Sequence, residues 1–397
     1  MAWIKKQITG KLLLIFLAVT TVYFAGSYQY RLQLPKQIEL ANYYARMQKN
    51  SRASTDFVKS KLLYSKTDFL QPWIAHDWKY EDYKLYLEKI KALGIEYVVL
   101  QYVAEAKVVN GKAVLTENYF HLNDTATNPH LPSVYSKCAT EKNMIVSQFD
   151  VVDNLLSAAK DVGIKVYLGT ILNNQWWDNR FRDDKWRAEM LALEKLLISY
   201  LITKYKTTSD MSDTFYGIYY TPEMFGNTNG YEIYWRKALG NIREFIYSQD
   251  SSLKFITSLY CSDYYLFNDS GKQTIEEKMQ KFVFNLLVNN GKSVLRDGDI
   301  VSVQDKLSTN TKTSVEYNAK FLYAVRDVIR TLKSDYKTSL HYSIIVENFK
   351  SKTDLNLAPI ERYNLQRLIS LQLADDLMVF SYALYQMPKD EHNKPVR

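Results

Sequence analysis

The sequence predicts an α/β fold, a parallel (β/α)8 TIM barrel, and three observations carry that prediction. Eight short apolar runs follow one another between residues 69 and 382, and seven helix-patterned stretches separate them. No Gly-rich phosphate turn follows any of the runs, as it would in a doubly wound dinucleotide-binding sheet. Runs that are apolar throughout suit strands buried on both faces, and strand–helix alternation implies a parallel sheet. At 397 residues, 47% of them hydrophobic and 24% charged, the chain is long enough for one large barrel.

The strand candidates are Phe69–Trp73, Tyr97–Val103, Lys165–Leu172, Phe215–Thr221, Leu253–Leu259, Ile300–Val303, Tyr342–Val346 and Leu377–Tyr382. Helical patterns cover Tyr80–Leu93 and Val151–Val162, each stopped by a glycine (Gly94, Gly163), the residue that best takes the left-handed helix-ending conformation. Longer helices are expected over Asp184–Tyr205, Tyr231–Tyr247, Ile275–Val288, Val315–Leu332 and Ile360–Leu373. Gln386–Arg397 is polar and contains two prolines, so the barrel is expected to lack its eighth helix. The amphipathic segment Gln37–Lys49 is the piece of chain that could cover that gap. Residues 104–148 form a long excursion after strand two, with a hairpin over Lys107–Leu115 turning at Asn110-Gly111.

Charge separates the leader from the barrel. Residues 1–61 hold ten Lys or Arg against two acids, which is the whole net charge of +8 and leaves 41 of each sign elsewhere. A nucleic-acid binder needs its basic footprint on the folded domain, so nucleic acid is excluded as a partner. Lys5, Lys6 and Lys11 precede an apolar run from Leu12 to Gly26, short for a membrane span and suited to a signal-peptide core. Ala25-Gly26-Ser27 offers small residues for cleavage, while residues 8–28 would serve as an inner-membrane anchor if left uncut. The expected organisation is a signal or anchor at 1–27, a basic helical linker at 28–66, the barrel at 67–386 and a polar tail at 387–397. An exported protein, periplasmic or extracellular, is expected. Cys138 and Cys261 are either a disulfide or two separate small core residues. The five His and two Cys show no ligand spacing, so neither a metal nor a cofactor is expected.

Barrel enzymes build their sites at the C-terminal ends of the strands. Polar and aromatic groups gather there: Gln71 and Trp73 after strand one, Gln101 after strand two, and Asn173, Trp176 and Trp177 after strand three. Strand four runs into Tyr220 and Glu223, strand six into Gln304 and Asp305, strand seven into Glu347 and Asn348, and strand eight into Tyr382. Such a set describes a polar, sugar-sized cleft. Indole faces stack on the C–H faces of pyranose rings, and amides bind hydroxyls; equally, each Trp could be a loop anchor. Glu223 and Glu347 each end an apolar strand on well-separated sides of the barrel. Glycoside hydrolysis needs such a pair, one acid for the leaving oxygen and one carboxylate as nucleophile or base. A single strand-end Glu is otherwise a salt-bridge or capping acid. His76 reads as a structural loop histidine.

The order of motifs resembles a bacterial family of glycoside-hydrolase-type barrels, domain of unknown function 4434. The resemblance rests on Phe69-Leu70-Gln71-Pro72-Trp73, Leu93-Gly94-Ile95 leading to Val99-Leu100-Gln101, and Gly163-Ile164-Lys165-Val166-Tyr167-Leu168-Gly169 with Trp176-Trp177. It continues through Gly217-Ile218-Tyr219-Tyr220-Thr221-Pro222-Glu223, Gln304-Asp305 and Glu347-Asn348-Phe349, over roughly residues 67–385. The layout is also similar to the retaining clan A glycoside hydrolases. That similarity implies Glu223 as acid/base and Glu347 as nucleophile. Pro222 stands where that clan usually has Asn, Gln101 where it often has Arg, and Tyr382 or Tyr385 where it has an aromatic.

The expected function is hydrolysis of an extracellular or cell-envelope polysaccharide. The competing expectation is a non-catalytic carbohydrate-binding barrel in polysaccharide export or biofilm assembly. An acyl-transfer enzyme finds no support, since no Ser–His–Asp arrangement or nucleophile elbow is visible.

Overall fold

The computed structural model describes residues 65–121, 139–176, 184–207, 209–225, 232–260, 275–305, 315–347 and, with short breaks, 349–396. The leader, the segment Gln37–Lys49, both cysteines, Trp177 and Asn348 lie outside the described residues.

Eight parallel strands close into a barrel: β1 Ser65–Leu70, β2 Tyr97–Leu100, β3 Lys165–Gly169, β4 Phe215–Phe225, β5 Lys254–Tyr260, β6 Ile300–Gln304, β7 His341–Val346 and β8 Asp376–Val379. Each pairs with its sequence neighbours, and β1 closes the ring on β8 through Thr67↔Met378 and Asp68↔Val379. Seven helices follow the first seven strands: α1 Tyr80–Ala92, α2 Val151–Val162, α3 Asp184–Leu201, α4 Glu232–Gln249, α5 Ile275–Leu287, α6 Val315–Asp335 and α7 Ile360–Leu373. Among the described residues after β8, the helical element is the four-residue turn Tyr382–Tyr385. Among the described residues, no helix is long and apolar enough to cross a membrane.

Local chemistry explains the elements. In α2, Asp150 caps the helix by accepting the Asp153 amide at 2.8 Å. The helix buries Val151, Val152, Leu155, Leu156, Ala158 and Ala159 on one side. Gly163 then adopts φ 75°, donates to Ala159 O at 2.8 Å and turns the chain into β3. Strand one begins and ends earlier than its sequence run, at Ser65 and Leu70: Pro72 starts a helical turn, Pro72–Ala75, and carries Trp73 out of the strand. The excursion after β2 is a side sheet of Ala104–Val109, Lys112–Asn118 and Ala139–Val146 that joins Ile171–Leu172 beyond β3. Its hairpin turns at Asn110 (φ 52°) and Gly111 (φ 73°), both positive as a type I′ turn requires.

Two cores result. Inside the barrel, Phe69, Val99, Tyr167, Tyr219, Ile256, Ile345 and Met378 pack together, with Phe69 edge-on to Tyr219 at 5.3 Å. A larger apolar layer joins the outer faces of the strands to the helices. Below it, Arg243 of α4 donates to Asp299, just ahead of β6, at 2.6 Å in a fully buried ion pair.

Candidate active site

Strand residues alternate between faces, so the interior core fixes which groups reach the barrel mouth. With Val99 inside, Gln101 follows on the same face of β2. Ile345 precedes Glu347 on β7 in the same way, while the register of β4 against β5 shifts between Tyr220 and Met224 and brings Glu223 to Gln304. Gln304 pairs with Ile345 across β6 and β7. The mouth above the apolar plug therefore gathers two carboxyl groups and two amides.

Glu223 is half-buried, and its Oε1 accepts the Gln304 side-chain amide at 2.5 Å. Its backbone carbonyl accepts Trp176 Nε1 at 3.2 Å, which fixes that indole against β4. Glu347 is almost fully enclosed, at 2% exposure. Its backbone amide donates to Asp305 Oδ1 at 3.3 Å. Asp305 is itself completely buried, and both of its oxygens accept Gln366 Nε2, at 2.8 and 2.9 Å. The same Gln366 nitrogen also reaches Glu347 O at 3.2 Å. Arg362, on the first turn of α7, feels the charges of both Asp305 and Glu347, while burial lowers its pKa below the usual guanidinium value. Arg362 is thus within electrostatic reach of Glu347.

The remaining sequence-predicted residues divide by face. Gln101 is half-buried, donates its backbone amide to Leu70 O at 2.9 Å, and accepts Thr221 Oγ1 at 2.9 Å through its carbonyl. Gln71 is buried at the end of β1, its Oε1 without a donor. Asn173 uses its side chain locally, accepting the Gln175 amide at 2.8 Å and donating to Met190 Sδ at 2.9 Å. Trp73 is 47% exposed on its helical turn. His76 holds that turn, its ring 2.6 Å from Trp73 O and 3.1 Å from Asp77.

Tyr220, Asp305 and Tyr382 were expected in the cleft, but they face the helical layer. Tyr220 stacks on Phe255 at 6.2 Å and hydrogen-bonds Glu194 of α3. Asp305 is one residue past inward-facing Gln304 and so points toward α7. Tyr382 donates its backbone amide to Asp68 at 2.8 Å, and Tyr86 donates to the other oxygen at 2.6 Å. Asp68 is raised to about 7 because burial outweighs these hydrogen bonds. Arg362, Gln366 and Glu194 were missed because all three sit on helices, where a polar residue gives no strand-end signal.

Among the described residues, no group of three or more His, Cys, Asp or Glu is placed to hold a metal ion.

The sequence profile of the family described as "Domain of unknown function (DUF4434)" matches residues 66–392, the whole barrel. The chain belongs to this family. None of the curated proteins matches it. Among solved structures, this DUF4434 barrel is similar to a candidate alpha-L-fucosidase from Bacteroides thetaiotaomicron, with 14% identity and a TM-score of 0.57. That match covers 83% of this chain and 89% of the other. An endo-1,4-beta-D-mannanase from Thermotoga petrophila shares 13% identity at TM-score 0.48, over 84% of this chain and 92% of its own. An intracellular xylanase from Thermoanaerobacterium saccharolyticum gives 14% identity and 0.42, over 84% and 92%. At these identities the fucosidase-like match shows a shared fold.

Proposed function

We propose that this DUF4434 protein is a glycosidase of extracellular or cell-envelope polysaccharide, with Glu223 as general acid/base and Glu347 as nucleophile. One observation carries the reading. Two carboxyl groups from β4 and β7 stand at the C-terminal mouth of a closed barrel, where Gln304 grips one and Arg362 is within electrostatic reach of the other. The fold held in common with the Bacteroides candidate fucosidase is consistent with it.

In the proposed cycle Glu223 gives its proton to the glycosidic oxygen as that C–O bond breaks. Glu347 attacks the anomeric carbon from the other face, forming a glycosyl ester. Glu223, now a carboxylate, takes a proton from water; the oxygen attacks the anomeric carbon, and Glu347 leaves as a carboxylate. The tight enclosure of Glu347 suits a nucleophile shielded from bulk water, and the half-open position of Glu223 suits a group that exchanges protons with solvent.

The test is to incubate the full chain with a panel of bacterial exopolysaccharides and plant glycans and to count new reducing ends by mass spectrometry. Release by the native protein that disappears in Glu223→Gln and Glu347→Gln supports the assignment. Full activity in both variants removes it, and binding without release favours a non-catalytic carbohydrate-binding barrel.

A further inference from the structure

A cavity of about 400 Å³ opens beside Glu223, between the end of β4 and the helices α3 and α4. Its floor is the outer side of β4 from Tyr220 to Glu223, and its walls are α3 and α4. This is within the size range of sites for small organic ligands. Trp176, Trp186, Trp235, Tyr234, Met190 and Leu191 line it. The indoles brace one another: Trp176 meets Trp235 edge-to-face at 4.9 Å and lies 6.1 Å from Trp186. An aromatic lining held this firmly presents an apolar surface without needing to collapse.

Of the charged groups in its lining, Lys237 is exposed on the outer side of α4. At the rim Arg187 is paired with Asp184, and its guanidinium lies over the Tyr234 ring at 4.5 Å. Deeper, Glu194 is 3% exposed and hydrogen-bonded to Tyr220. Burial raises its carboxyl to about 8, so at neutral pH it is an acid with a proton to donate. An ionised ligand would find no deep counter-charge here, whereas an ester carbonyl would find a donor.

Gln101 and Glu223 belong both to the barrel mouth and to this cavity, so an occupant would be continuous with a group bound at the mouth. Resting on the glycosidase reading, we infer that this cavity receives an uncharged aromatic or aliphatic acyl substituent carried by the sugar on the leaving-group side. The substrate is then an acylated glycan rather than a plain one.

The test reads binding, not turnover, in the full chain. N-phenyl-1-naphthylamine, a neutral dye that brightens in apolar sites, is titrated at pH 7 and then displaced by glucose, 6-O-benzoylglucose or 6-O-octanoylglucose. One saturable site is expected, with the acylated sugars displacing the dye at least tenfold more effectively than glucose. Benzoyl ahead of octanoyl identifies an aromatic substituent, and the reverse order an aliphatic one. Ala238→Trp and Leu191→Trp, which fill the cavity from opposite helices, should each weaken dye binding at least tenfold. Glucose matching the acylated sugars overturns the inference, as does dye binding indifferent to both tryptophan variants. The displacement on native protein decides the matter even if a variant fails to fold. Dye binding as expected without any glycan cleavage would sink the glycosidase reading alone. Cleavage of glycans without acyl preference would sink only the cavity assignment.

Discussion

Gln304 Nε2 lies 2.5 Å from Glu223 Oε1, a hydrogen bond that reaches from β6 to β4 across the intervening β5. The amide nitrogen can only donate, so Oε1 must be the accepting oxygen. When Glu223 carries a proton, that proton therefore sits on Oε2. In the proposed role of Glu223 as acid, Gln304 thus selects the donating oxygen.

Replacing Gln304 with Ala should lower kcat about tenfold to a hundredfold and leave the fold intact, since general acid catalysis depends on the placement of the proton. Steady-state kinetics on a cleaved glycan checks this. Unchanged kcat would mean that the amide plays no part in orienting Glu223.

Glu347 should depend on a residue that never meets substrate. Gln366 donates to both oxygens of Asp305 and to the Glu347 carbonyl, all in the buried layer between β7 and α7. Gln366→Leu strips the buried Asp305 carboxyl of a side-chain donor to both its oxygens. The expected cost is about 3 kcal/mol in denaturant unfolding. Loss of kcat should accompany it, because Asp305 also holds the Glu347 backbone amide.

What could be read from sequence follows the two-residue period of strands. Glu347, Gln101 and Gln304 stand in phase with interior apolar residues, so the strand pattern brings them to the mouth, whereas Glu223 lies where the register of β4 shifts between Tyr220 and Met224. Tyr220 and Asp305 are chain neighbours of inward-facing residues, and the same alternation sends them outward. Treating a strand end as uniformly cleft-facing assigns both to the wrong side. Trp73 is displaced because Pro72 cannot continue the ladder and begins a turn instead. Arg362, Gln366 and Glu194 depend on where a helix packs, and no local pattern in the chain encodes that.

Glu194 should give stability a distinctive pH dependence. Its folded carboxyl is raised to about 8 by burial, against 4.5 for an ordinary Glu. Below 4.5 both folded and unfolded forms hold the proton. As pH climbs through 4.5 the unfolded chain releases it first, and the folded state loses relative stability until its own carboxyl ionises near 8. Asp68, raised to about 7, acts in the same direction. Glu194→Gln should abolish its share of the loss, on the order of 4 kcal/mol at pH 9 and close to none at pH 4. Urea unfolding at the two pH values measures it, and an equal effect at both would contradict the assignment.

His341 works at the opposite end of the barrel, and its contribution also fades as pH rises. It opens β7 and meets Asp376 at 3.2 Å and Asp375 at 3.8 Å, with Lys333 nearby. The hydrogen bond to Asp376 raises its pKa above 6.5, against an opposing effect of burial. The stabilisation is complete below pH 6.5 and disappears as pH passes the raised folded value. His341→Gln should therefore destabilise the protein at pH 6 and have little effect at pH 9.

Gly169 ends β3 where the strand passes closest to β2. A Cβ there would lie 2.1 Å from Gln101 O and 2.6 Å from Leu100 O, both backbone atoms that cannot swing aside. Gly169→Ala must therefore push β2 and β3 apart at the mouth, and the Thr221 hydroxyl would lose its bond to the Gln101 carbonyl. The expected destabilisation is about 2 kcal/mol, in the range for overpacking a tight interior. Because Gln101 sits at the mouth, weaker glycan binding should accompany it. A variant with native stability and native glycan affinity would show that β2 and β3 have slack at this point.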